Sequence, residues 1–285
     1  MTNPHALLIE DRVQPKELPK LSPSSINLFD QDPALWVLKH FYGSTGDFNI
    51  HAMRGVAIEE GLNLFMTLPT LDVPERTQQA LNRSEEHFND LAFFWGDDEL
   101  FEQIEDLIPQ WAEVCIDALT TILPEKAKVD QQIEIDTTIE GVPIRGFLDY
   151  STEDLQIDLK TATQIPNPVT RGPRKGFLPA AKKANVRQQS IYHKATGKKT
   201  SLLYVSPDGF YHHELGEEEL AEAMEDVKII VEKMKKLLTS PIKDVIKDTV
   251  PNWKAMNYSF YWDENLRRIA KELWEDYKPE EDGGY

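Results

Sequence analysis

Residues 146–161 read Gly146-Phe147-Leu148-Asp149-Tyr150-Ser151-Thr152-Glu153-Asp154-Leu155-Gln156-Ile157-Asp158-Leu159-Lys160-Thr161, and this stretch decides the fold. Its two ends, 146–150 and 155–161, carry the aromatic and branched apolar residues of short strands, and the polar run 151–154 between them is turn chemistry. A hairpin of that length brings Asp149 and Asp158 together at one end of a sheet. Alternation along the second strand puts Asp158 and Lys160 on one face. Two carboxylates and an amine meeting at one spot suit hydrolysis of a phosphodiester. The acids hold a hard divalent cation through oxygen, and the lysine orients the attacking water or helps to deprotonate it. An Asp-x-Lys triplet also arises by chance in acidic chains, as a surface hairpin with an ion pair, so the rest of the sequence has to decide.

Working outward, Gln132-Ile133-Glu134-Ile135-Asp136-Thr137-Thr138-Ile139 alternates and is rich in β-branched residues. Glu140-Gly141 then makes a tight turn into 142–150, so the three strands form a meander. Residues 166–177, with three prolines and two glycines, read as a loop. A helix is expected over 179–196, strands over 201–205 and 210–214 around Pro207-Asp208-Gly209, and helices over 216–238 and 262–276. Upstream, serine caps at Ser22 or Ser24 start one helix, and Asp32-Pro33 opens another with proline in its first turn. Further helices follow at 51–66, 74–93 and 98–122, the last with Ile104, Leu107, Ile108, Trp111, Val114, Cys115, Leu119 and Ile122 as its buried stripe. Residues 1–20 read as an extended arm and 278–285 as a disordered acidic tail. Between them, 21–277 reads as one domain: a core from 21–66 and 126–215, a helical lobe at 67–125, and C-terminal helices at 216–277.

Composition narrows the function classes. With 40% hydrophobic and 28% charged residues, 285 residues suit an ordinary globular core. No apolar run is long enough to span a bilayer and no secretory pattern opens the chain, so a cytoplasmic setting is expected (host cytoplasm if the chain is phage-encoded). One cysteine, Cys115, excludes an internal disulfide and any four-cysteine cluster. The net charge of −18 argues at first against nucleic acid, but its distribution does not. Residues 160–200 hold ten Lys or Arg and no Asp or Glu, while the remainder of the chain holds 21 basic and 49 acidic side chains. The basic stretch begins at Lys160 itself, which suits a groove wall facing phosphates; a solvated basic loop is the bland alternative. Gly197-Lys198-Lys199-Thr200 mimics the end of a phosphate-binding loop, but it lacks the upstream glycine and leads into a strand.

The order helix, three antiparallel strands, helix, strand, with Asp149 and Asp158-x-Lys160 on the meander, resembles the PD-(D/E)XK nuclease superfamily over roughly residues 21–215. The resemblance implies an α/β fold with a restriction-endonuclease-like αβββαβ core: a mixed central sheet flanked by helices, here with a helical N-terminal elaboration. Three further motifs place the chain near the RecB-like exonuclease branch. Arg54-Gly55-Val56-Ala57-Ile58-Glu59-Glu60-Gly61 is similar to the branch's first catalytic helix, with Glu59 where histidine is usual and where the λ-exonuclease-like branch has glutamate. Spacing does not choose between Glu59 and Glu60; the family register favours Glu59. Gln188-Gln189-Ser190-Ile191-Tyr192 matches the Gln-x-x-x-Tyr motif, whose ends share a helix face. Leu21-Ser22-Pro23-Ser24-Ser25-Ile26, followed by Asp32-Pro33 and Trp36, resembles the N-terminal motif, with Asp32 in place of the cluster cysteine.

The resemblance implies Mg2+ or Mn2+ held by Asp149, Asp158, the Leu159 carbonyl and Glu59, with no iron–sulfur cluster, and Lys160 positioning water. Gln188 and Tyr192 support the same network. Arg54 faces a substrate phosphate or pairs with an acid, and Arg171, Arg174, Lys175, Lys182, Lys183 and Arg187 track the DNA backbone. The activity implied is a metal-dependent DNA nuclease, an exonuclease of recombination, repair or phage genome processing. A recombinase, annealing protein or helicase is the partner expected besides DNA. The alternative is a non-cleaving DNA-binding or scaffolding subunit that keeps the fold.

Overall fold

The computed structural model describes residues 18–43, 50–68, 71–92, 99–123, 127–163, 165, 181–259 and 261–278. The expected arm up to residue 17, the 166–177 loop with Arg171, Arg174 and Lys175, and the tail from 279 lie outside the described residues. The elements run α1 (Pro23–Gln31), α2 (Pro33–Phe41), α3 (Ile50–Thr67), α4 (Val73–Ala92), α5 (Glu99–Glu105), α6 (Ile108–Ile122), β1 (Asp130–Ile139), β2 (Val142–Ser151), β3 (Leu155–Thr161), α7 (Lys183–Thr196), β4 (Lys199–Ser206), β5 (Gly209–Glu214), α8 (Glu217–Thr239), α9 (Ile242–Asp248), α10 (Trp253–Tyr258) and α11 (Glu264–Leu273). The chain groups into two units, residues 48–135 with 147–220, and residues 1–47 with 136–146 and 221–285.

The sheet has five strands in the order β1-β2-β3-β4-β5. β2 and β3 pair antiparallel, β3 and β4 pair in parallel from Leu155–Lys199 to Thr161–Val205, and β4 returns antiparallel into β5. The sheet is therefore mixed, as the αβββαβ order requires, because the helix between β3 and β4 carries the chain back to the same end. Glu140 and Gly141 make the two-residue β1–β2 turn with φ of 49° and 78°. Both angles lie in the left-handed region such a turn demands, which glycine meets without cost and glutamate does not.

In the first unit, β3 and β4 are covered on both faces, and Leu202, Leu203, Tyr204 and Val205 are all fully buried. One face carries α3, α4 and α6: Ala57, Ile58, Leu62, Phe88, Trp111 and Leu119 form a single cluster with Tyr150, Ile157, Leu203 and Val205. α7 covers the other face, where Asn185 Nδ2 donates to the Tyr204 hydroxyl at 2.9 Å. Gly61 marks the closest approach of α3 to α4, where an added Cβ would collide with the Ala80 carbonyl and the Ser84 hydroxyl. Cys115 is fully buried in the cluster, and burial pushes its thiol well up.

In the second unit, Ser22 and Asp32 cap successive helices: Ser22 Oγ accepts from Ser25 N–H at 3.1 Å and Asp32 Oδ1 from Leu35 N–H at 3.0 Å. Asp32 Oδ2 also accepts from the Trp262 indole at 2.6 Å. Ser25 Oγ accepts from Trp36 Nε1 and meets His40 Nε2, both at 2.9 Å, so the serine-rich motif is spent on capping and packing.

Some expected elements differ. The helix expected over 98–122 is two helices, α5 and α6, parted at Asp106-Leu107. Pro109 has no N–H to continue an incoming helix but fits the first turn of a new one. The final helix ends at Leu273 and passes into a 3-10 turn, Glu275–Tyr277, and α9 and α10 were not anticipated. Both are short, seven and six residues, and amphipathic periodicity is weak over so few positions. Gly197 ends α7 in the left-handed conformation (φ 69°), and its N–H bonds the His193 carbonyl at 2.7 Å, so the apparent phosphate-loop ending is a helix stop.

Candidate active site

β2 and β3 are paired at Tyr150–Ile157 and Ser151–Gln156. One step further, side chain replaces main chain: Asp149 Oδ2 accepts from the Leu159 backbone N–H at 2.8 Å. The Asp149 carboxylate thus bridges the two strands where they part. Because Tyr150 and Ile157 face the α3/α6 cluster, alternation turns Asp149, Asp158 and Lys160 toward α7.

Asp158 is almost fully buried. Its Oδ1 accepts from Gln188 Nε2 at 2.9 Å, and its Oδ2 lies 2.7 Å from the Lys160 ammonium. Among the described residues, no donor meets Oδ2 in hydrogen-bond geometry. Gln188 Nε2 also donates to the Tyr192 hydroxyl at 3.0 Å, and Gln188 Oε1 accepts from Lys160 Nζ at 3.4 Å. The amide therefore spends both hydrogens and its carbonyl inside the cluster, which fixes its orientation. The four-residue spacing on α7 that suggested a shared face does place Gln188 and Tyr192 together.

Glu59 and Glu60 part company. Glu60 Oε1 accepts from Arg83 at 2.7 Å, tying α3 to α4. Glu59 Oε1 accepts from the Gln132 amide of β1. Of the two, Glu59 is the one whose charge interacts with Asp158 and Lys160.

The electrostatics follow from this crowding. Loss of water and repulsion by Asp158 and Glu60 push the Glu59 carboxyl up to about 7, against the pull of Lys160. Burial first, then Asp158, holds Asp149 well above the usual carboxylate range. Burial likewise raises Asp158, with Lys160 opposing it. For Lys160 burial works against the charge, but Asp158 and Asp149 outweigh it and the ammonium is held above lysine's ordinary value. With all three acids ionised, one ammonium leaves the cluster two charges short of neutrality.

That deficit, and the all-oxygen chemistry of Asp149, Asp158, Glu59 and the neighbouring Leu159 carbonyl, fit a hard divalent cation. Among the described residues, however, no three His, Cys, Asp or Glu side chains are gathered as a ready-made metal cage. Lys160 stands against Asp158 Oδ2, where a cation would otherwise compete for the same oxygen.

Other expected site residues lie elsewhere. Arg54 is buried, donating to the Thr161 carbonyl at 3.0 Å and stacking over Trp111 at 4.6 Å. It is not brought to the acids; it clamps the chain just past Lys160, and burial lowers it only to about 10. Arg187 is buried on α7, whereas Lys182 and Lys183 are exposed at that helix's N-terminal end. Two supports were missed. Gln156 donates to Thr200 Oγ1 and accepts from Thr196 Oγ1, both at 2.8 Å, pinning α7 to β3 and β4. Gln132 is the other, and only the tertiary contact with Glu59 reveals it.

No protein-family model and no curated protein matches the chain. Among solved structures, one from Eubacterium rectale bearing the name "Putative exonuclease" superposes with a TM-score of 0.53 at 12% identity, over 77% of this chain and 81% of that one. SSO0001 aligns at 16% identity over 62% of this chain and 84% of its own, but with a TM-score of 0.27 it bears on nothing further. The likeness to the first is one of fold: this chain is a mixed α/β protein with a five-stranded mixed sheet flanked by helices.

Proposed function

We propose that this chain is a Mg2+- or Mn2+-dependent nuclease of the PD-(D/E)XK type that hydrolyses DNA, acting as an exonuclease. The observation that carries the reading is the cluster of Asp149, Asp158, Lys160, Gln188 and Tyr192 where β2 and β3 part. The name borne by the E. rectale structure points the same way.

Asp149, Asp158 and the Leu159 carbonyl, with Glu59, would hold the cation. When bound, it would lower the pKa of a water and offset phosphate charge. Lys160 is a donor in this scheme and not a base, because its neighbours keep it protonated. It can hold a water or a non-bridging phosphate oxygen as charge develops. Gln188 keeps Asp158 and Lys160 in register, and Tyr192 supports Gln188. The exposed Lys182 and Lys183 at the start of α7 combine two attractions for phosphate, their own charge and the helix's N-terminal dipole. Arg171, Arg174 and Lys175, earlier in the same basic stretch of sequence, would add to that attraction. A cytoplasmic setting and a recombinase, annealing protein or helicase partner go with this role.

One observation favours the non-cleaving alternative: the absence of a preformed three-acid cage among the described residues. Incubating the purified protein with end-labelled linear duplex and single-stranded DNA, in Mg2+, Mn2+ or EDTA, separates the two. Metal-dependent release of short products is expected. DNA binding without metal-dependent cleavage under any of these conditions would favour the alternative.

A further inference from the structure

Gln132 is the one non-glycine residue, besides Glu140 of the tight turn, with a positive φ among the described residues, at 48°. It lies inside β1 near the strand's start, not in a loop. A side chain with a Cβ is disfavoured in this conformation, so something must hold it there. The consequence is visible in its neighbours. In a regular strand successive side chains point to opposite faces, yet Gln131 and Gln132 both reach α3. The Gln132 amide donates to Glu59 Oε1, and the Gln131 amide meets the Asn63 carbonyl at a marginal 3.5 Å. Glu59 and Asn63 are one helical turn apart. The unusual backbone therefore re-aims a side chain of the edge strand, as strand irregularities beside functional sites do.

Register points the same way. The two-residue Glu140-Gly141 turn sets Ile139 against Val142, and the contact between Asp136 and Arg145 at 3.3 Å fits that count. Continued down the hairpin, it sets Gln132 beside Asp149. One strained residue thus adjoins one proposed metal-binding acid and holds another.

We infer that Gln132 is a positioning residue: its amide fixes the Glu59 carboxylate toward Asp149 and Asp158, and the left-handed backbone of β1 exists to deliver it. The inference rests on the nuclease reading and concerns the orientation of that site's third acid. The Gln132 amide engages Glu59 through Oε1, which leaves Oε2 to serve the cation in this reading.

Three variants test it. Gln132→Gly deletes the side chain while suiting the backbone, so it should fold at least as well as the parent. Gln132→Asn tolerates the same φ but is one methylene short of Glu59. Gln132→Glu keeps the length and replaces the donor with a like charge. All three should lower kcat for DNA cleavage by roughly tenfold or more with KM for DNA within twofold, and raise the Mn2+ concentration needed for half-maximal rate. In a Glu59→Ala background, where the acceptor is gone, Gln132→Gly should change nothing further. A folded Gln132→Gly protein with parental kcat and metal dependence overturns the inference. If the parent itself shows no metal-dependent cleavage, the nuclease reading fails. The contact is then read from thermal unfolding of the four proteins of a Gln132→Gly and Glu59→Ala cycle in EDTA. Additive melting shifts would overturn it and non-additive shifts would support it.

Discussion

Replacing Glu59 with glutamine should make the metal-free protein more stable, by most at neutral to alkaline pH and by little at acidic pH. Burial first, then Asp158 and Glu60, raise this carboxyl from an ordinary 4.5 to about 7 against the pull of Lys160. Keeping it ionised in the folded state then costs about 3 kcal/mol, at roughly 1.4 kcal/mol for each decade of acidity. Its partial exposure and local relaxation reduce that to about 1–2 kcal/mol. The direction is that of an acid whose folded pKa is raised. Below about 4.5 both states are protonated and nothing is lost. Between 4.5 and 7 the unfolded chain ionises first and folding stability declines. Above 7 the penalty is complete. Glutamine cannot ionise, yet its carbonyl can still accept from Gln132. In EDTA, Glu59→Gln should therefore raise the melting temperature by about 2–6 °C at pH 8, with about a quarter of that gain remaining at pH 5. Differential scanning fluorimetry at the two pH values reads this directly. Unchanged or lowered stability at pH 8, or an equal gain at both, would refute the placement of Glu59 among like charges. The same substitution should abolish any stabilisation by Mn2+ that depends on Glu59, an exchange of function for stability.

Three other substitutions separate packing from chemistry. Gly61→Ala should destabilise by about 2–4 kcal/mol, measured by urea unfolding, because the new methyl meets the Ala80 backbone carbonyl and not only a yielding side chain. Arg54→Ala should cost about 2–4 kcal/mol through its lost bond to Thr161 and its stacking on Trp111. It should leave the salt dependence of DNA binding unchanged, whereas a phosphate contact would flatten it. Lys182→Ala with Lys183→Ala should lessen the slope of log affinity against log salt by about 1–2 on duplex DNA, at unchanged stability.

The strands around Asp149 and Asp158 were legible because alternation, β-branching and the Glu140-Gly141 turn agree with one another. Asp158 and Lys160 on one face, and Gln188 with Tyr192 four residues on, follow from the periods of strand and helix alone. Arg54 was misleading for a physical reason. A charge on a helix near an active-site motif reads as solvent-facing, and nothing local foretells that Trp111, 57 residues on, will stack beneath it or that Thr161 will accept its hydrogen bond. The choice between Glu59 and Glu60 needed Arg83 on the next helix, since adjacent positions differ by only 100° around the axis. Gln132 was invisible because its role depends on a backbone angle that glutamine rarely adopts. Pro109 could have divided α5 from α6 in advance; the strong apolar stripe over 98–122 masked it.

The claim under all of this is that Asp149, Asp158 and Lys160 form a working hydrolytic centre. The rate of DNA cleavage by Asp158→Asn, in saturating Mg2+ and beside the parent protein, tests it most directly. Asparagine keeps the shape of the buried side chain and can still accept from Gln188, but it offers no anionic oxygen to a cation. The rate should fall by at least about a hundredfold while DNA affinity stays within a few fold. Cleavage at the parental rate by a correctly folded Asp158→Asn protein would mean that the chemistry, if any, lies elsewhere.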